Sequence, residues 1–571
     1  MADNFLHSDT RKVVVIGASA AGMKAACRAR RLAPRTEVIV VEAGEYISYA
    51  ACGMPYFLEG EIASFDELRK TPYDLIKDPD YFSSIKDVSV MTGVRAVAID
   101  RDSRILTCIE AKTENKINLT YDTLVIATGA RPARPDIPGI NLPGVFTFTR
   151  AEDAIALKKD CETGQVGSVA IIGGGYIGIE LCEAFASLWG IEVTLIESEE
   201  HVLPGLLGTI HARHVESILS EEGIRVHTST RCTAVLQAKN GLKIETDTNH
   251  IETVFDRIIC ASGIIPESTL ARDAGLTVGE TGGIAVNDYL QTSDPDIYAG
   301  GDCIEFRHRL NGKPVLLPLG SLANRTGRTI GDNISGITRK FDPVLGSTIL
   351  KAFDCNIASV GLNAEHAKNS GFDTGEIWGV FDDKAHYYPG AERIYASMVF
   401  DRKSEKVLGV QAVGAGDVIR RIDTAAALMQ FDAKISDFFD FEPAYAPPFA
   451  NPLDPLHYLA YSADSILRDN VCEIAPDSLY KAKERNYLIL DVRNDNERES
   501  DPVPEGIDAV AIPLNRLRDK FGELPAGREI VILCQKGPRA YEAFLILREK
   551  GFADMAFLGG GMLFARLCKG N

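Results

Sequence analysis

Val169-Ala170-Ile171-Ile172-Gly173-Gly174-Gly175-Tyr176-Ile177-Gly178 decides the fold. Four apolar residues read as a buried strand, and glycines 173, 175 and 178 as the turn into a helix. The first glycine permits the tight turn, the second lets a pyrophosphate approach the backbone, and the third packs the helix onto the strand. The helix N-terminus then faces the pyrophosphate. The next strand, Val193–Ile196, ends at Glu197. A carboxylate there bonds the free 2′-hydroxyl of NADH and repels the 2′-phosphate of NADPH, so NADH is expected. Gly173, Gly175, Tyr176, Gly178, Glu197 and Gly263 are the candidate NADH contacts.

The pattern recurs upstream. Lys12–Ile16 is a strand, Gly17-Ala18-Ser19-Ala20-Ala21-Gly22 the turn, and Val38–Val41 a strand ending at Glu42. Ser19 takes the middle glycine position. Two such units about one domain length apart predict two bound dinucleotides, a flavin and a nicotinamide.

The bulk numbers set limits. A chain of 571 residues is too long for one core, and three to five domains are expected. A net charge of −19 argues against general nucleic-acid binding. Residues 1–12 are polar and no run is long enough to span a bilayer, so neither a signal peptide nor a membrane contact is expected. Twelve cysteines without dense regular spacing read as reduced, cytoplasmic thiols, and no metal site is expected.

Ser48-Tyr49-Ala50-Ala51-Cys52-Gly53-Met54-Pro55-Tyr56 carries one of those cysteines. Pro55 suits the first turn of a helix, and a thiol just before a helix start is favoured as thiolate. Cys52 is thus a candidate reactive thiol; the alternative is a small buried apolar residue. On the first helix Lys24, Arg28 and Arg31 share one face. They read either as a phosphate-binding rim or as cations complementing the helix C-terminus.

Further stretches resemble known families. Tyr121-Asp122-Thr123-Leu124-Val125-Ile126-Ala127-Thr128-Gly129-Ala130 and Asp296-Ile297-Tyr298-Ala299-Gly300-Gly301-Asp302 are similar to segments that complete the FAD domain of the two-dinucleotide disulfide reductases. The resemblance implies FAD contacts at Gly17, Ser19, Ala20, Gly22, Glu42, Ala127, Thr128, Gly129 and Asp302. Many of those reductases carry a Cys-x4-Cys pair; here the earlier position is Ile47. The Cys52 stretch instead resembles the single-cysteine motif of coenzyme A-disulfide reductases, over residues 12 to about 460. That family implies two tyrosines from the partner subunit, in Tyr-Tyr-Pro-Gly and Tyr-Ala-Pro stretches. Tyr387-Tyr388-Pro389-Gly390 and Tyr445-Ala446-Pro447 match, so Tyr387 and Tyr445 are candidates; the alternative is that they only line a dimer interface. It also implies coenzyme A contacts at Lys24, Arg28, Arg31 and Ser48. Ala51 departs from the family's frequent asparagine before the cysteine.

Near the C-terminus, Val531-Ile532-Leu533 is a strand, Cys534-Gln535-Lys536-Gly537-Pro538-Arg539 a loop, and Ala540–Lys550 a helix. Such a loop cradles an anion with backbone N–H groups and can hold a persulfide. With Leu490-Asp491-Val492-Arg493, Ala511-Ile512-Pro513-Leu514 and Leu558-Gly559-Gly560-Gly561, it resembles a rhodanese domain, with Cys534 and Arg539 as catalytic candidates. A phosphatase-like loop or an inactive fold are the alternatives.

The expected architecture is α/β, with two Rossmann-like domains, the FAD domain split around the NADH domain, then an α+β dimerisation domain and a C-terminal α/β rhodanese domain. The expected boundaries are 1–155 and 276–340 for FAD, 156–275 for NADH, 341–462 for dimerisation and 470–571 for rhodanese. The expected function is reduction of coenzyme A disulfide, coenzyme A persulfide or polysulfide by NADH through FAD and Cys52 in a homodimer, with Cys534 delivering sulfane sulfur. The alternatives are an NADH oxidase or peroxidase cycling through a sulfenate, and a sulfur carrier or redox sensor.

Overall fold

The computed structural model describes residues 11–248, 251–525 and 527–568. The chain divides into two compact units. One comprises residues 1–173, 181–196 and 231–344; the other comprises 174–180, 197–230 and 345–571.

The first unit is built on a parallel sheet in the order Ile297–Ala299, Thr123–Ile126, Lys12–Ile16, Glu37–Val41, Ser89–Met91. Val13, Val14 and Val15 are no more than 1% exposed. An uninterrupted apolar run is what a strand covered on both faces needs. The two segments at 121–130 and 296–302 supply strands to this sheet although they are far from the first strand in sequence. Helix Ala20–Leu32 leaves the end of the central strand, where the strand order reverses and a ligand crevice forms. A second parallel set, Glu192–Ile196, Ser168–Ile172, Arg257–Cys260 and Val145–Thr147, repeats the arrangement. An antiparallel meander, Val94–Asp100, Ile105–Glu110 and Lys116–Thr120, was not legible in advance. Its alternating, largely exposed residues lack the apolar runs of the other strands.

The second unit holds an antiparallel sheet in the order Thr348–Ala352, Cys355–Gly361, Val407–Gly414, Arg393–Asp401, Thr374–Asp382. Arg393–Asp401 and Val407–Gly414 are two of its inner strands, and helix Ile419–Met429 follows. A parallel sheet runs Glu473–Ile474, Met555–Leu558, Ile530–Leu533, Leu488–Asp491, Ala509–Ala511. The helix expected from Ala540 begins two residues earlier, at Pro538, because proline suits a first helical turn.

Candidate active site

In the first unit the glycine-rich turn is closely packed. Gly17 has φ +101°, and a β-carbon on it would lie 2.1 Å from the Ala127 carbonyl oxygen. A β-carbon on Gly22 would lie 1.9 Å from the Gly17 carbonyl oxygen. Both glycines are required by the turn. Ser19 caps helix Ala20–Leu32 in an extended conformation without a side-chain cap bond, and the first turn carries no acid. The N–H groups of that first turn suit an anion. Glu42 accepts the N–H of Ala18 at 2.8 Å and that of Gly44 at 2.9 Å, which holds its carboxylate at the end of the strand.

Thr128 donates to the Glu267 carbonyl at 2.6 Å, beside Ala127 and the positive-φ Gly129. The Gly301 N–H donates to Thr326 Oγ1 at 3.1 Å, which ties the Gly-Asp turn to helix Gly320–Ile334. Thr326 had no sequence signal. Burial alone pushes the Asp302 carboxyl up to about 6. A carboxylate so desolvated suits hydroxyl or amide donors from a ligand. These turns, the helix terminus and Asp302 fit a bound FAD. Cys303 donates to the carbonyls of Ile126 and Gly300 and is structural.

Cys52 is exposed, in a short turn Ala51–Gly53 that leads into helix Met54–Glu59 with Pro55 at its start. A β-carbon on Gly320 would lie 3.7 Å from Cys52 Sγ. The sulfur therefore faces the N-terminus of the 15-residue helix Gly320–Ile334 as well as the short one, and the longer helix carries the fuller dipole. Ser48, at φ +50°, donates its N–H to the Ala18 carbonyl at 2.8 Å, joining the cysteine stretch to the first glycine-rich turn. Ile47, five residues before Cys52, is 1% exposed in the core.

Two residues without a sequence signal hold the far end of helix Met54–Glu59. Lys158 Nζ donates to the carbonyls of Phe57 at 2.7 Å and Ile62 at 3.2 Å, and Trp189 Nε1 donates to Leu58 at 2.8 Å. Unpaired carbonyls at a helix C-terminus need such donors.

The basic face of helix Ala20–Leu32 splits in two. Arg28 Nε donates to Asp332 Oδ1 at 2.6 Å, and Arg339 Nε donates to Asp332 Oδ2 at 2.7 Å. Burial would raise the Asp332 carboxyl, but the bonds from Arg28 and Arg339 hold it below its ordinary value. The helices approach closely here: a β-carbon on Gly331 would lie 2.6 Å from Arg28 Cβ. Lys24 and Arg31 are exposed, with no carboxylate paired to them among the described residues.

The second glycine-rich turn mirrors the first. Gly173 has φ +112°, and a β-carbon on it would lie 2.4 Å from the Ala261 carbonyl oxygen. Gly178 is buried on the helix, and Gly263 has φ +105°. In the second unit, Glu197 accepts the Gly174 N–H at 2.7 Å and the Glu199 N–H at 2.9 Å. The same relation holds between Glu42 and Ala18, so both carboxylates are fixed by the residue after the first glycine of their turn. Tyr176 donates its hydroxyl to Thr348 at 3.4 Å. Within that unit Gly174, the helix start at Tyr176 and Glu197 suit a nicotinamide dinucleotide.

Tyr387 and Tyr445 are brought near each other, both exposed. Partial desolvation and the neighbouring Tyr387 phenol raise the Tyr445 phenol, which keeps it protonated. Phe449, 71% exposed, lies close in sequence, and exposed aromatic residues of this kind mark interaction surfaces.

Cys534 is buried at the end of strand Ile530–Leu533, and its Sγ accepts the Gly537 N–H at 3.0 Å. Gly537 needs its φ of +119° to turn that N–H inward. The Gly559–Gly561 run backs the loop: a β-carbon on Gly561 would lie 2.5 Å from the Cys534 carbonyl oxygen, and the Met562 N–H donates to that oxygen at 2.8 Å. Each polar side chain after the cysteine is anchored. Arg493, fully buried and paired with Asp491, donates to Gln535 at 3.2 Å. Lys536 Nζ bridges both oxygens of Asp382 at 3.1 and 2.9 Å. Arg539 donates to Glu497 at 2.8 and 2.5 Å. Those bonds from Arg539 hold the Glu497 carboxyl below its ordinary value.

Residues 11–319 match the pyridine nucleotide-disulphide oxidoreductase model, 348–455 the dimerisation domain of the same family, and 475–563 the rhodanese-like domain. The chain is 39% identical over 454 residues to the NAD(P)H coenzyme A polysulfide/persulfide reductase of Pyrococcus horikoshii, covering 79% of this chain and 98% of that one. A solved NAD-dependent persulfide reductase from A. fulgidus superposes with a TM-score of 0.92 at 39% identity, over 97% of this chain and 99% of that one. Reduced Bacillus anthracis CoADR-RHD superposes with a TM-score of 0.91 at 31% identity, over 99% of each chain. Among the described residues no helix is long and apolar enough to cross a membrane.

Proposed function

The chain belongs to the pyridine nucleotide-disulphide oxidoreductase family, and from that membership we propose that it is an NADH-dependent reductase of coenzyme A persulfide, polysulfide or coenzyme A disulfide, with a fused sulfurtransferase domain. Membership implies FAD and a pyridine nucleotide as cofactors. The observation that carries the reading is the pairing of an exposed Cys52 with a buried Ile47 where a second cysteine would stand. The oxidised partner of Cys52 therefore comes from outside the stretch, as a small disulfide or persulfide.

Bound FAD supplies the passage of an electron pair from NADH to sulfur. Glu197, held by two backbone N–H groups, keeps a negative charge where NADPH would bring its 2′-phosphate, and so selects NADH. Lys24 and Arg31 bind phosphate groups of coenzyme A, and Ser48 lies on the same path. Cys52 thiolate, favoured by the helix terminus at Gly320, attacks the incoming S–S bond. It is left as a mixed disulfide or a persulfide. Tyr387 and Tyr445 of one protomer donate protons to the thiolate that leaves from the partner's Cys52. Overall, one persulfide anion, one NADH and one proton give one thiol, one hydrosulfide and NAD⁺. The Cys534 loop carries sulfane sulfur as a persulfide stabilised by the Gly537 N–H.

The mass of the purified oxidised protein tests the reading. Coenzyme A bound at Cys52 and released by NADH is expected. A chain that carries only a sulfenate there, and turns over peroxide faster than coenzyme A persulfide, is an oxidase or peroxidase instead.

A further inference from the structure

The Cys534 loop carries two cations, and a carboxylate from outside the loop meets each of them. Glu497 belongs to the rhodanese-like segment itself. Asp382 does not: it ends strand Thr374–Asp382 in the dimerisation region, opposite Arg393 in the sheet register. Its backbone is held there by Asn451, whose side-chain amide donates to the Asp382 carbonyl at 2.9 Å. Both side chains of the Asp382–Lys536 pair are only about one-quarter to one-third exposed, at 26% and 35%. Screening by water is weaker for such a pair than for one on the open surface.

This arrangement changes what the loop offers a sulfur donor. Two unpaired cations beside inward-turned N–H groups would attract a compact dianion. With Lys536 and Arg539 bridged to carboxylates, the two pairs bring no net charge to the mouth. We infer that Asp382 is a specificity-determining residue for the sulfurtransferase loop: by holding Lys536 it turns Cys534 away from dianionic oxyanion donors such as thiosulfate and towards persulfides of lower charge. The inference rests on the sulfurtransferase reading of Cys534 given above.

The chemistry balances for both donor classes. Cys534 thiolate attacks the outer sulfur, a new S–S bond forms, and the donor's S–S bond breaks. Sulfite leaves from thiosulfate, or a thiolate from an alkyl persulfide, with the bonding pair. Cys534 becomes a persulfide anion, and cyanide takes the sulfur as thiocyanate and restores the thiolate.

The test is thiocyanate formation by the full chain with thiosulfate and with the persulfide of 2-mercaptoethanol. In Asp382→Asn the ratio of kcat/KM for thiosulfate to that for the persulfide is expected to rise at least about tenfold, through a lower KM for thiosulfate. The gain should shrink with added salt. Asp382→Glu should keep the wild-type ratio, and Asp382→Asn combined with Lys536→Gln should lose the gain. An unchanged ratio in Asp382→Asn, or a parallel loss with both donors there and in Asp382→Glu, overturns the inference while the sulfurtransferase reading stands. A folded wild-type chain that loads Cys534 from neither donor overturns that reading, and the inference with it.

Discussion

Tyr387 and Tyr445 bring their phenols close enough for one to raise the other's pKa, and Tyr387 remains 67% exposed while doing so. Two polar side chains far apart in sequence that meet on an exposed face are poorly explained by packing. As a proton-donating pair they fit a role at a leaving thiolate. Tyr387→Phe and Tyr445→Phe should each lower kcat for coenzyme A persulfide by roughly 10- to 100-fold. The double variant should lose less than the product of the two, because the phenols act as a unit. Steady-state NADH consumption measures this; unchanged kcat in both single variants would leave the pair an interface feature.

The basic helix face should separate into binding and structural cations. Lys24→Ala and Arg31→Ala are expected to raise KM for coenzyme A persulfide several-fold while leaving inorganic polysulfide unaffected. Arg28→Ala should instead lower stability, by about 1–3 kcal/mol, because it leaves the fully buried Asp332 carboxylate with Arg339 as its one remaining guanidinium partner among the described residues. Equal KM effects on both substrates would remove coenzyme A from the account of this face.

Cofactor preference should follow the charge of Glu197. Glu197→Gln retains an acceptor for the Gly174 N–H but loses the negative charge. The kcat/KM ratio of NADPH to NADH should rise about tenfold, the worth of roughly 1.4 kcal/mol. An unchanged ratio would place the selection elsewhere.

Stability should fall with pH on the alkaline side of neutrality. In the second unit, burial raises the Glu473 carboxyl to about 8 and the Glu376 carboxyl to about 7, each above an ordinary value of 4.5. Glu473 accepts the Trp378 N–H at 3.0 Å, and Glu376 adds a repelling charge; Ser397, near Glu376, contacts His211 at 3.1 Å. Between 4.5 and these raised values the folded chain holds protons that the unfolded chain has lost, so stability declines as pH rises. His211 and His214, lowered by burial to about 3 and about 4, oppose this trend only below their ordinary 6.5. The melting temperature should therefore drop by at least about 2 °C from pH 6.5 to 8, and Glu473→Gln should flatten the decline. A melting temperature that rises over that interval contradicts it.

The glycine-rich turns, Cys52 and the Cys534 loop were legible because each is local: a strand, a punctuated turn and a helix start in consecutive residues. The meander at 94–120 was not, since its short alternating strands carry weak signals. Neither was the fate of Arg28, whose partner Asp332 lies 304 residues away, nor that of Lys536, 154 residues from Asp382. Sequence spacing placed Arg28 beside Lys24 and Arg31 on one helix face. It contained nothing about the helix Gly320–Ile334 that packs against that face and claims one of the three. Likewise the start of the short helix at Pro55 was visible beside Cys52, while the longer helix starting at Gly320 reaches the sulfur only through the fold.

On this reading Cys52 is the single thiol through which NADH reduces a sulfur–sulfur bond. Steady-state NADH oxidation and hydrosulfide release with coenzyme A persulfide, comparing wild type with Cys52→Ser in the flavin-loaded protein, test it most directly. Cys52→Ser is expected to bind and oxidise NADH but to release no hydrosulfide above background. Hydrosulfide release by Cys52→Ser at the wild-type rate would contradict it.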